Sequence, residues 1–184
     1  MKRILLSFAA LLLFVFANAQ TEQTIQDTFL KMKLGQEFTM ASIKNHVGDR
    51  GTFDDVYTLS SYRTVDFIDF TFGGATWNLC KFYLTNSGLF YKFELSSHFD
   101  SERDALERYN SLVNRLNKKY TCSYTEEEAN QKGAGYFGVN GIGCLVSYIK
   151  VKPENGYFDY YFVYLSYLDF ELYTAVQNAQ DDEL

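Results

Sequence analysis

Residues 62–120 constrain this chain more than any other stretch, because sheet and covering helix come out of one continuous run. Residues 65–72 alternate, with Ile68, Phe70 and Phe72 on one side. Gly73-Gly74 follows, a pair suited to the positive φ of a tight hairpin. Residues 75–84 alternate again and bring Cys80, Phe82 and Leu84 together. After a turn at Asn86-Ser87-Gly88, residues 89–97 place Leu89, Tyr91, Phe93 and Leu95 on one face. Period-two alternation with one apolar side is the mark of an antiparallel sheet half-buried against a core.

The cover follows directly. Ser101 can cap a helix, and Glu102 and Asp104 suit its positive end. Ala105, Tyr109, Leu112, Leu116 and Tyr120 then recur at helical spacing. Arg103–Glu107 and Asp104–Arg108 stand four apart and would pair on the outer side.

The remaining chain extends this theme on both sides. Residues 1–19 combine Lys2 and Arg3, an apolar run and Ala17-Asn18-Ala19, the pattern of a cleaved signal peptide. The apolar run falls short of the roughly 20 residues that a spanning helix needs. The expected product is therefore an exported protein, periplasmic or extracellular, forming one domain from residue 20 to residue 184 with no integral membrane segment. Residues 29–35 read as a short strand or extended arm, and Thr39 can cap a short helix over residues 40–47. Residues 53–59 are irregular or form an edge strand. Residues 125–141, rich in Gly and Glu, read as a long exposed loop between strands at residues 120–124 and 142–151. Pro153 marks a turn, and a long strand over residues 157–172 precedes a short helix over residues 173–180.

The fold class that results is α+β: an antiparallel β-sheet with helices packed on one face, in two similar helix-plus-three-strand halves, residues 29–97 and 101–173. Residues 29–35 with Thr39 and Ile43, and Tyr109, Leu112, Leu116, Lys119 and Tyr120 in the long helix, resemble the corresponding segments of small exported proteins of Bacteroidetes-type bacteria. The element order is similar to the β-lactamase-inhibitor-protein-like fold. That resemblance implies tandem helix-plus-sheet units. It carries no catalytic chemistry.

Chemistry-bearing residues are sparse. The two histidines, His46 and His98, sit at element ends, and His98 with Asp100 makes at most half of a metal site. A Cys80–His98 nucleophile pair would need a core face and a strand end to meet. Asp66 and Asp69 stand three apart on a strand and face opposite ways. Glu126, Glu127 and Glu128 lack the alternating ligands of calcium loops. Gly133, Gly135 and Gly138 spell a dinucleotide pattern without the strand and helix it requires. No catalytic residue, metal or cofactor is assigned, and the expected function is non-enzymatic.

Net charge is −6, and the signal takes two cations and no anion with it, so the exported chain disfavours nucleic acid as a partner. An exported chain also meets an oxidising compartment, where Cys122 and Cys144, in successive strand-like segments, could pair; Cys80 reads as a buried small hydrophobe.

Aromatics are the unusual quantity, at 18% of the chain. Phe67, Trp77 and Tyr83 fall on the side of the first meander that alternation leaves outside the core, and Tyr161 lies on a last strand with no polar face. These four are the candidate partner-binding face, for a protein or cell-envelope component. The alternative is a structural envelope role in which the same face makes a homo-oligomer.

Overall fold

In the computed structural model, residues 23–153 and 158–181 are described. The expected signal peptide, most of the turn after Pro153 and the acidic C-terminal tail lie outside the described residues. Among the described residues, ten strands and three α-helices are arranged as β1 (Thr28–Phe29), β2 (Met32–Lys33), α1 (Met40–Val47), β3 (Thr52–Thr58), β4 (Tyr62–Phe72), β5 (Ala75–Thr85), β6 (Phe90–Phe99), α2 (Glu102–Asn117), β7 (Tyr124–Glu128), β8 (Gln131–Phe137), β9 (Ile142–Val151), β10 (Tyr160–Asp169) and α3 (Phe170–Asp181). Strands β3 to β10 form one eight-stranded sheet in the order β3-β4-β5-β6-β10-β9-β8-β7. The protein is thus α+β and built on an antiparallel sheet. Two meanders, β3–β6 and β7–β10, meet where β6 and β10 pair, Leu95 opposite Leu165. Each meander has four strands, one more than the sequence suggests.

The additional strands come from two places. Residues 53–59, open to either reading, fall largely in an edge strand, Thr52–Thr58. Residues 124–137 form the β7–β8 hairpin rather than a loop, with Glu126 opposite Gly133 and Tyr124 opposite Gly135. Gly135 is needed there for space: a Cβ would come within 3.3 Å of both Leu145 and Phe137. Both edges carry acid, Asp54 and Asp55 at a bulge in β3 and three glutamates in β7, which disfavours strand addition from another chain.

Two helices form where their caps stand. Thr39 accepts a bond from the Ser42 amide at the start of α1, and Ser101 accepts one from Asp104 at the start of α2. α2 lays Ala105, Tyr109, Leu112 and Leu116 on β6, β10 and β9. Its outer ion pairs do not form as expected. Arg103 pairs with Asp104 instead, and Arg108 lies over the Trp77 ring, 4.2 Å from its centroid. The β1–β2 hairpin packs on the same side of the sheet. Phe29 stacks on Phe93 with ring centroids 4.8 Å apart, although Leu30 and Lys31 must take left-handed backbone to make the turn.

The third helix corrects the expectation that helices cover one face only. α3 begins directly at Phe170 and packs on the opposite side, where the Phe170 ring occupies the space over Gly143; a Cβ at that position would lie 2.3 Å from it.

Candidate functional site

Strict alternation fails at one residue in β4, and the fate of the aromatic residues follows from it. Asp69 takes φ +52°, a left-handed conformation that aspartate tolerates better than most side chains. Register is kept across this point, Ile68 opposite Leu79 and Phe70 opposite Trp77. Side-chain direction is not. Phe67 before Asp69 and Phe70 after it both enter the core, and their rings lie 6.5 Å apart. In β5 the same switch makes Trp77 and Cys80 both buried.

The candidate partner face therefore separates. Phe67 and Trp77 are each 2% exposed and belong to the helix-side core, which corrects their place on an open surface. Phe67 packs against Phe53 and Phe82, and the Trp77 indole donates to the Phe72 carbonyl at 3.3 Å. Tyr161 also lies on the helix side, opposite Phe99 and Lys150, with the Lys150 ammonium 5.6 Å from its ring. Tyr83 alone is on the other face. Ile68, expected in the core, is on that face too and 37% exposed.

The opposite face of β4, β5, β6 and β10 carries a row that register alone defines. Asp66 stands opposite Lys81, Lys81 opposite Glu94, and Glu94 opposite Ser166. Lys81 reaches the Asp66 carboxylate at 2.7 Å, and Lys92 reaches Glu94 at 2.6 Å. Glu94 also accepts from the Tyr83 hydroxyl at 2.9 Å and from the Ser166 hydroxyl at 3.0 Å. Burial alone would raise the Glu94 carboxyl. The Lys92 ammonium and the two hydroxyl donors outweigh that and hold it below its ordinary value. Burial, then the nearby Glu94 charge, pushes the Tyr83 hydroxyl up, so it stays protonated as a donor. A bulge between Tyr83 and Leu84 frees Tyr91 from the core side, and it joins Tyr62 and Tyr83 with ring centroids 6.5 and 6.0 Å away. Tyr173 of α3 lies near enough to Tyr91 to raise its hydroxyl further, so α3 closes this end of the face.

Beyond the charged row no other described element covers the face. Ile68, Leu79, Ser96, Tyr164 and Ser147 form the next row across five strands, followed by His98, Phe162 and Ile149. Phe162 and Tyr164 stack with centroids 6.2 Å apart. Leu79, Ile149, Phe162 and Tyr164 are all part-exposed. Sequence reasoning passed over this band because its members are spread over β4, β5, β9 and β10. The two apolar faces of residues 157–172 were the one signal for it.

Other candidates stay separate. His46 packs edge-on against Phe38, and His98 is exposed at the end of β6. Among the described residues no group of three or more His, Cys, Asp or Glu is placed to hold a metal, and no helix is long and apolar enough to cross a membrane. All three thiols are free, which corrects the Cys122–Cys144 pairing. β8 runs between β9 and the strand that Cys122 precedes, and two strand spacings, roughly 9.5 Å, exceed the reach of a disulfide. Cys122 instead donates to the Tyr124 carbonyl at 3.2 Å. Burial pushes Cys144 up to about 12, and burial, then Asp66 and Glu94, raises Cys80.

No protein-family model matches this chain, and no curated protein or solved structure matches it.

Proposed function

We propose that this chain is an exported, non-enzymatic binding module that takes a protein or cell-envelope component on the open band of its sheet. The observation that carries this reading is the part-exposed cluster Ile68, Leu79, Ile149, Phe162 and Tyr164, on the face that α3 covers at one end only. A sheet face left in water is normally polar, and this band sets five apolar or aromatic side chains among Ser96, Ser147 and His98. Aromatic and aliphatic side chains on a rigid sheet are what a protein interface core uses. The charged row behind the band ties those strands together by the Lys81–Asp66 and Lys92–Glu94 ion pairs, and the acidic edges favour a partner with a neutral or basic rim.

The order of elements also supports a reading as two related halves. α1 precedes one four-stranded meander and α2 precedes the other, and strand order outward from the β6–β10 seam is the same in both.

The test is capture from an envelope extract with the wild-type protein and with a Phe162→Ser, Tyr164→Ser double variant. A partner retained by the first and lost by the second, at unchanged melting temperature, is the expected result. Equal capture by both removes the band from the function. Light scattering on the same samples covers the structural alternative: a dimer that persists on dilution and is lost in the double variant would assign the face to self-association.

A further inference from the structure

The apolar band runs on past the strands that flank it. β10 pairs with β6 no further than Tyr161, opposite Phe99. β9 pairs with β8 no further than Ile149, opposite Gln131, and the last backbone bond on that side runs from the Lys150 amide to the Asn130 carbonyl at 2.8 Å. β9 and β10 continue without those neighbours to the pair Val151–Tyr160, so this end of the two strands projects beyond the rest of the sheet.

Strand alternation sets Val151 and Tyr160 on the same face as Ile149 and Phe162. Exposure rises toward the projecting end. Ile149 and Phe162 are part-exposed, Val151 and Tyr160 are exposed, and Phe158, just before β10, is 79% exposed. A phenylalanine this bare adds little to the stability of the fold, since its ring stays in water. The core of a protein interface lies inside a polar rim, and here the barest apolar side chains stand at the extremity, where that rim would be. The charges around them are mixed. Lys152 is exposed, and Lys150, on the helix side, is held by Asp159 at 3.1 Å and Glu102 at 3.5 Å. Asp100 follows β6 at this same end, and register carries Glu128 to it through Gln131 and Ile149.

We propose that this end of β9 and β10 seats the protein on a zwitterionic phospholipid surface. Phe158, Tyr160 and Val151 enter the boundary between headgroups and acyl chains, and the Lys152 ammonium lies at the level of the phosphates. The proposal rests on the band being a contact surface and names lipid as its partner. A projecting end can enter a layer of headgroups that a flat sheet face only touches. Tyrosine and lysine each join an apolar body to a polar end, which suits that boundary layer. Binding of this kind draws on apolar area and on charge. Asp100, Glu128 and the net acidity of the chain oppose an anionic surface, which leaves a neutral headgroup as the match.

Flotation with phosphatidylcholine vesicles tests this, using the chain from residue 20 onward, the expected exported product, so that the apolar run of residues 4–16 takes no part. The protein is expected to float with the vesicles. Phe158→Ser, Tyr160→Ser should lower the partition coefficient about tenfold or more at unchanged melting temperature, and exchange of part of the lipid for phosphatidylglycerol should weaken binding. Absence of flotation, equal flotation of wild type and double variant, or tighter binding to the phosphatidylglycerol vesicles overturns the proposal. Should the double variant melt lower, Phe158→Trp decides. A blue-shifted emission quenched by brominated phosphatidylcholine supports the site, and emission unchanged by vesicles overturns it. Capture of an envelope protein through Phe162 and Tyr164 without any flotation removes lipid as the partner and leaves the binding-module reading standing.

Discussion

The same three strands, β4 to β6, present two chemically different faces. Toward α1 and α2 they send Phe67, Phe70, Phe82 and Phe93, a continuous ring cluster with no charge in it. Away from those helices they send Asp66, Lys81, Tyr83, Lys92 and Glu94. The first face gains stability from area removed from water and tolerates no lost volume. The second gains from mutual satisfaction of polar groups, so its members depend on one another. The difference teaches why an aromatic-rich chain leaves a band of apolar side chains uncovered. The charged row and its tyrosines occupy the part of the second face that α3 reaches, and among the described residues no element lies above the rows beyond it.

Removing volume from the ring cluster gives the largest effect. Phe93→Ala, which strips contacts from Phe29, Phe70, Phe72 and Phe82, is expected to cost about 3–5 kcal/mol in denaturant unfolding. A loss under about 1 kcal/mol would break the picture of a rigid core. Next is the coupled face. Lys81→Met leaves the buried Asp66 carboxylate without its one ion partner and is expected to cost about 3 kcal/mol, most of it recovered in Lys81→Met, Asp66→Leu. Additive losses in that double variant would show that the pair is not coupled.

Glu94 sharpens the same contrast through pH. Its folded carboxyl lies below the ordinary value, so its contribution is fully present above 4.5 and is lost as pH falls through that value and then through the lower folded one. Glu94→Gln should cost about 2 kcal/mol at pH 7 and flatten the acid limb of the stability profile, while Phe93→Ala leaves the shape of that limb unchanged. Thiol labelling comes next. In native protein at pH 8, Cys122 should react first, and Cys80 and Cys144 should be modified only on unfolding, because burial raises both. The smallest effect belongs to Lys31→Gly. It relieves left-handed backbone at φ +67° and is expected to raise stability by up to about 1 kcal/mol.

Much of the architecture was legible because it is local. Ser101 and the helical spacing of Ala105, Tyr109, Leu112 and Leu116 define α2, and Gly73-Gly74 defines the β4–β5 hairpin. The β7–β8 hairpin was hidden by its composition. Gly133 and Gly135 read as loop residues, while in the sheet both are paired with β7 and Gly135 leaves room for Leu145 and Phe137, and Glu127 with Lys132 and Glu126 with Gln131 are cross-strand partners visible only once the register is known. Phe67 and Trp77 were placed on the wrong side because alternation was carried unbroken through Asp69, whose backbone reverses it.

By itself the sequence determined what depends on neighbours along the chain: the strands β4, β5, β6, β9 and β10, the helices α1 and α2 with their caps, the Gly73-Gly74 turn and a net acidic chain. Tertiary structure alone decided what depends on which strands meet. It set β10 beside β6, aligned Asp66, Lys81, Glu94 and Ser166 into one row, kept Cys122 and Cys144 apart and gathered Phe162 and Tyr164 beside Leu79. The physical reason is that side-chain direction along a strand is a parity. One left-handed residue inverts that parity for everything after it, and only the packed sheet selects which sign is buried.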